Sequence, residues 1–130
     1  MEIKNLHENE ISYLIRGAAF KIHSKIGPGL LESAYEAALV YELNKSGLRV
    51  RSQVGLPFQY EEVKLDIGYR IDILVNEIVI IEVKSVDALT DVHHKQLLTY
   101  LKLSDKKLGL LINFNTSDIN KSIVRIVNNL

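Results

Sequence analysis

The chain has 130 residues, of which 47% are apolar, and its 16 basic and 16 acidic residues give a formal net charge of zero. This length fits a single domain over residues 1–130, and the lack of cysteine excludes disulfides, thiolate-held zinc and cysteine-held iron–sulfur clusters. The balanced charge argues against a high-affinity, non-specific nucleic-acid binder, although a local basic patch stays open. No apolar run approaches the length of a membrane span and the N-terminus lacks a signal-peptide core, so we expect a cytoplasmic protein with no membrane partner.

Hydrophobic periodicity predicts an α/β chain whose elements form a mixed central sheet flanked by helices. In chain order they are helices over 8–24 and 30–46, one strand or two short ones over 49–60, a strand over 63–75, a strand over 78–84, a helix from 90 or 91 to 103, a strand over 108–114, and a last element over 119–127. This last element fits a strand by its β-branched residues and a helix by its spacing. Gly27-Pro28-Gly29 ends the first helix, and Gly47 stands at the C-terminal cap of the second.

Three charged residues interrupt the apolar strands. Asp72 lies on the polar face of the strand over 63–75, whereas Glu82 and Lys84 belong to the strand over 78–84, which is apolar on both faces and predicts a covered, central strand. A buried charge is costly unless it is paired or bound to a metal. Two carboxylates on adjacent strands suit Mg²⁺ or Mn²⁺, and Lys84 beside them can orient water or steady a phosphate oxygen.

The turn between these two strands decides whether the carboxylates meet. A regular two-residue turn after Val75 would leave Asp72 and Glu82 on opposite faces of the sheet, because side chains alternate along a strand. A three-residue connection or a bulge would put both on the same face. For a shared metal site we therefore predict that Val75 pairs with Val79.

Four motifs occur along the chain in the order found in a known superfamily. Residues 29–35 read Gly-Leu-Leu-Glu-Ser-Ala-Tyr, a GxxExxY pattern, and residues 96–100 read Gln-Leu-Leu-Thr-Tyr, a QxxxY pattern on the predicted third helix. Between them stand Asp72 and the ExK sequence of Glu82 and Lys84. Together, over about residues 22–114, the motifs resemble the GxxExxY family of the PD-(D/E)xK nuclease superfamily and its RecB-like branch. Ile71 stands where the superfamily's strand motif has proline.

The resemblance implies a restriction-endonuclease-like core and a metal-dependent nuclease that cleaves phosphodiester bonds, with Mg²⁺ or Mn²⁺ as cofactor and nucleic acid, expected to be DNA, as substrate. It assigns metal binding to Asp72, Glu82 and Glu32, and catalytic roles to Lys84, Glu32, Gln96 and Tyr100. Acids gathered at one metal position repel one another, so at least one of the three should have a raised pKa. Whether His23 also approaches the metal stays open.

Plainer interpretations remain for each residue of the site. Glu32 alone is typical of a solvated helix residue, Glu82 and Lys84 of charges at a strand end, and Gln96 with Tyr100 of an ordinary helix rim. The alternative function is a non-catalytic nuclease-fold module that serves as a nucleic-acid-binding or regulatory subunit in DNA repair or defence. Because the chain has little room for a separate DNA-reading element, a homodimer or a larger repair or defence complex is an open expectation for its partners.

Overall fold

The computed structural model describes residues 6–65 and 68–130, which form three α-helices, one 3₁₀ helix and seven strands. They are α1 (Glu8–Ile26), α2 (Glu32–Lys45), β1 (Val50–Gly55), β2 (Phe58–Tyr60), β3 (Val63–Leu65), β4 (Arg70–Val75), β5 (Val79–Lys84), α3 (Asp91–Ser104), β6 (Leu108–Asn113), a 3₁₀ helix (Ile119–Ser122) and β7 (Ile123–Val127). The last segment is therefore a short 3₁₀ turn followed by a strand. Among the described residues, no helix combines the length and the hydrophobicity needed to cross a lipid bilayer.

The main sheet has five strands in the order β1-β4-β5-β6-β7, and β2 pairs with β3 in a separate hairpin. All neighbours in the main sheet are antiparallel except β5 and β6, which run parallel because α3 connects them as a crossover. β5 lies at the centre, and its residues Val79 to Val83 are all buried. The predicted mixed central sheet flanked by helices and the predicted covered strand are both confirmed.

Two apolar layers cover the sheet, one on each face. α1 and α2 pack on the face that includes Ile73, Val79 and Ile81. α3 packs on the opposite face, where Leu97 and Tyr100 join a cluster of sheet residues, namely Ile71, Leu74, Ile80 and Leu111. Because Ile80 and Glu82 are two residues apart on β5, the Glu82 side chain points to the face that α3 covers.

The prediction of one continuous strand over 63–75 is wrong. β3 ends at Leu65 and pairs only with β2, whereas β4 begins at Arg70 in the main sheet. Gly68 has φ of 80°, a conformation that L side chains rarely adopt and that does not continue a strand. Residues 66 and 67, which the prediction placed inside the strand, lie outside the described residues. Alternation of apolar residues marks extended segments but does not say which sheet each one joins.

Candidate active site

The turn after β4 sets the register of the two strands that carry the predicted carboxylates. The Ile78 N–H donates to the Val75 carbonyl at 3.0 Å, and the ladder then begins by pairing Val75 with Val79. Ile78 is thus an extra residue in the connection, and the predicted pairing is confirmed. In this register Asp72 and Glu82 fall opposite each other on one face of the sheet.

At Asp72 and Glu82 the two side chains take over the hydrogen bonds of the strand ladder. Glu82 Oε2 accepts the Asp72 N–H at 2.9 Å, and Asp72 Oδ2 accepts the Val83 N–H at 2.9 Å. The two carboxylates therefore bridge the strands reciprocally where β4 and β5 separate. One further oxygen remains on each side chain, Glu82 Oε1 and Asp72 Oδ1, and Asp72 Oδ1 lies 3.4 Å from the amide nitrogen of Gln53 on β1.

Burial dominates the electrostatics of this pair. Glu82 is only 4% exposed, and its pKa is raised from 4.5 to about 8, first by burial and then by the negative charge of Asp72. Burial also raises the pKa of Asp72, although the Val83 N–H and the positive charge of Lys84 act in the opposite direction. The predicted raised pKa is confirmed. Its main cause is the cost of charge in a low-dielectric interior, with repulsion between acids second.

Two residues that the sequence analysis did not identify complete this polar cluster. Gln53 of β1 faces Asp72, and its amide nitrogen lies 2.9 Å from Glu36 Oε1 and 3.4 Å from Asp72 Oδ1. Burial, followed by the charge of Asp72, raises the pKa of Glu36. The spacing of four residues between Glu32 and Glu36 could have indicated a shared helix face. Gln53 carries no comparable signal, because its position depends on β1 pairing with β4.

Glu32 lies at the first position of α2, next to the end of β5. Its Oε2 accepts the Ser85 N–H at 3.0 Å, and the Ser85 hydroxyl donates to the Leu30 carbonyl at 2.8 Å. Glu32 is exposed, and its negative charge is a minor contribution to the raised pKa of Asp72. Glu32 therefore lies within electrostatic range of Asp72, while its own carboxylate accepts the backbone N–H that follows Lys84.

The tyrosine of the GxxExxY motif holds the loop that precedes Glu32. Tyr35 is fully buried and stacks on Phe114, with ring centroids 4.4 Å apart and planes at 3°. Its hydroxyl donates to the Gly27 carbonyl at 2.7 Å and accepts the Leu30 N–H at 3.2 Å. Both loop groups lie just before α2, so Tyr35 fixes where the helix begins and hence where Glu32 points.

Lys84 ends β5 and is half-buried beside the carboxylates. Its positive charge lowers the pKa of both Asp72 and Glu82 without offsetting their burial. The ion pairs found between described residues do not include Lys84. The ammonium group therefore acts on the pair through space.

Gln96 and Tyr100 share one face of α3, as their spacing predicts. The Gln96 amide lies 3.3 Å from the Tyr100 hydroxyl. Tyr100 is 6% exposed, and its pKa is raised by burial and then by the charge of Glu82, so the phenol lies within electrostatic range of that carboxylate. His23 is engaged elsewhere, since its Nε2 lies 2.7 Å from the Thr116 carbonyl oxygen.

A sequence model of the PD-(D/E)XK nuclease superfamily matches residues 9–126. The chain belongs to this superfamily. The match spans every residue of the candidate site, and the five-stranded mixed sheet between helices agrees with the superfamily's restriction-endonuclease-like fold. Comparisons with curated proteins and with solved structures gave no match.

PD-(D/E)XK proteins are usually nucleases and typically use divalent metal ions. The donor set of this chain fits such an ion, because Asp72 and Glu82 supply hard carboxylate oxygens from two adjacent strands. Within residues 6–65 and 68–130, however, no three acidic or histidine side chains converge as a metal cluster. The structure therefore brings Asp72 and Glu82 together, and the roles of Glu32 and the other site residues stay predictions.

Proposed function

We propose that this protein is a metal-dependent nuclease that cleaves phosphodiester bonds of DNA. The observation that carries the proposal is the reciprocal bridge between Asp72 and Glu82, in which a nearly buried carboxylate has a pKa of about 8 and Lys84 follows two residues later on the same strand. In a pair with only a structural role, an apolar or amide side chain could replace the carboxylate and avoid the cost of burying a charge. A metal site, in contrast, requires the carboxylate.

Glu82 Oε1 and Asp72 Oδ1 are the proposed ligands for Mg²⁺ or Mn²⁺. When bound, such an ion supplies a Lewis acid for a phosphoryl oxygen and lowers the pKa of a coordinated water. Glu32 is the proposed third acid of the site, because it stands at the helix start and contacts the backbone at the end of β5. To reach the pair, its carboxylate would exchange the Ser85 N–H for the metal.

Lys84 is proposed to stabilise the negative charge that develops on the phosphoryl oxygens during cleavage. Its ammonium group lies on the same strand as Glu82, on the same face, and has no carboxylate partner among the described ion pairs. Gln96 and Tyr100 are proposed to position the substrate, since Tyr100 lies within electrostatic range of Glu82 and the Gln96 amide donates to its hydroxyl.

We also propose that the chain is a GxxExxY protein of the RecB-like branch. Support comes from the two helical motifs. Tyr35 organises the loop before Glu32, so the glycine-to-tyrosine spacing has a structural reason. Gln96 and Tyr100 are hydrogen-bonded to each other beside the carboxylates, which gives the QxxxY spacing a reason as well.

The test compares metal binding with cleavage in Lys84→Ala. Calorimetry with Mn²⁺ should show binding by the parent and by Lys84→Ala, because both carboxylates remain. Cleavage of labelled DNA should be lost in Lys84→Ala and retained in Lys102→Ala, which removes an exposed lysine of α3. A parent that binds no Mn²⁺ and cuts no nucleic acid would favour the non-catalytic binding module instead.

A further inference from the structure

A groove that shares Gln96 and Tyr100 with the candidate active site is lined by α3, by Phe58 at the start of β2 and by Tyr69 before β4. It has a volume of about 460 Å³. Its aromatic lining consists of Phe58, Tyr69 and Tyr100 of α3. This volume falls in the range of roughly 300–1,000 Å³ that is typical of small-ligand pockets, so the groove can hold a nucleotide but no section of duplex.

The groove offers an aromatic surface to an incoming ligand. Tyr69 is 45% exposed, and its ring lies 6.2 Å from that of Tyr100 at an angle of 54°. The rings therefore do not stack on each other, and a face of Tyr69 is left for a planar partner. Stacking on exposed aromatic side chains is the usual way in which proteins hold unpaired bases without reading their sequence.

Tyr100 connects the groove to the carboxylate pair. It lines the groove and also belongs to the same buried cluster as Ile71, which precedes Asp72, and Ile80, which lies two residues before Glu82. A base that fills the groove therefore places its sugar and phosphate beside the face that carries Glu82 and Lys84.

The charges of the chain favour this mode of binding over one that follows a duplex backbone. The whole chain is formally neutral, so it has no excess of cations for the many phosphate contacts that duplex binding uses. Among the described residues that line the groove, Lys95 is the one charged side chain. Stacking with a single cation at the rim suits one unpaired nucleotide and its phosphate.

We propose that the groove binds an unpaired base of the substrate, stacked on Tyr69, next to the phosphate that is cut. The protein would then act on single-stranded or locally unpaired DNA. This inference rests on the proposed nuclease function and adds the substrate class to it.

The test measures binding of a 12-nucleotide single strand that contains one 2-aminopurine, whose fluorescence is quenched by stacking. The measurements use Lys84→Ala in the presence of Mn²⁺, because this substitution prevents cleavage. In this background, the single strand should bind at least tenfold more tightly than a blunt duplex of the same length. Tyr69→Ala should weaken single-strand binding roughly tenfold or more and remove the quenching, because stacking is lost. Tyr69→Phe should retain both, and Tyr13→Ala, which removes a 71% exposed tyrosine of α1, should change neither.

A second variant guards against an indirect effect of Tyr69→Ala. Lys95→Glu changes an exposed position of α3, keeps the helix, and should weaken single-strand binding while making it less sensitive to salt. Circular dichroism of each variant checks the fold.

Several outcomes would overturn the groove assignment. Equal affinity for single strand and duplex would do so, and so would unchanged binding in both Tyr69→Ala and Lys95→Glu. If the groove instead holds a second copy of the chain, Tyr69→Ala would reduce the sedimenting mass and leave oligonucleotide binding intact. If the parent and Tyr69→Ala both cut duplex DNA in the presence of Mn²⁺, the proposed role of the groove is refuted and the nuclease proposal stands. A parent that binds neither Mn²⁺ nor nucleic acid would refute both proposals.

Discussion

Replacing Glu82 by glutamine tests whether the buried carboxylate is as costly as its environment indicates. Glutamine has nearly the same shape, and its carbonyl oxygen can still accept the Asp72 N–H. In the parent, the Glu82 pKa is about 8 in the folded state against 4.5 ordinarily, so between these values the folded state binds more protons than the unfolded state. The stabilisation that this bound proton gives the folded state is fully present below about pH 4.5 and is lost as the pH rises through 8.

The expected size follows from the same two values. At about 1.4 kcal/mol per pK unit, the separation between 4.5 and about 8 corresponds to an upper limit of about 5 kcal/mol. Roughly 3 kcal/mol of this falls between pH 5 and pH 8. Because glutamine does not titrate, Glu82→Gln should become more stable relative to the parent by about that amount as the pH is raised across this interval.

The assay is the free energy of unfolding in urea, measured for the metal-free parent and variant at intervals from pH 5 to pH 9. Glu77→Gln is the matched control, because Glu77 is paired with Arg51, which lowers its pKa and keeps its titration below this pH range. The difference in unfolding free energy between Glu77→Gln and the parent should stay constant. If the difference between Glu82→Gln and the parent also stays constant between pH 5 and pH 8, the argument that burial raises the Glu82 pKa is refuted.

Two further predictions concern the metal. Asp72→Asn should leave the metal-free protein as stable as the parent or slightly more so, and should abolish the rise in melting temperature that millimolar Mn²⁺ gives the parent, since a ligand of the folded state stabilises it by mass action. Thermal melts of both proteins with and without Mn²⁺ check this. A lower melting temperature for metal-free Asp72→Asn, together with a parent whose melting temperature does not respond to Mn²⁺, would contradict it. Affinity for Mn²⁺ should increase up to about pH 8, because Glu82 must release its proton to bind; calorimetry at pH 6, 7 and 8 that shows a constant Kd would argue against Glu82 as a ligand.

The candidate site was partly predictable because its central geometry depends on neighbouring strands. The ten-residue separation of Asp72 and Glu82 brings them face to face only if Val75 pairs with Val79, and that pairing is present. Gln53 was not predictable in the same way. Gln53 lies on β1, some twenty positions before Asp72, and reaches it because β1 pairs with β4. No local sequence pattern specifies that pairing.

The sequence by itself determined the elements that local forces decide. Helical periodicity and capping residues placed the three helices within two residues of their observed ends, and apolar residues on both faces of the strand placed β5 in the interior. These properties depend on which side chains lie within a few positions of one another, so they can be read along the chain.

Only the tertiary structure decided the division of residues 63–75 between two sheets, the approach of Glu36 and Gln53 to Asp72, and the depth at which Glu82 is buried. Strand partners are chosen by contacts between distant segments, which a local pattern does not encode. The pKa of Glu82 follows from that choice, because the dielectric around a carboxylate is set by everything packed against it, including the helix α3 that crosses over its face.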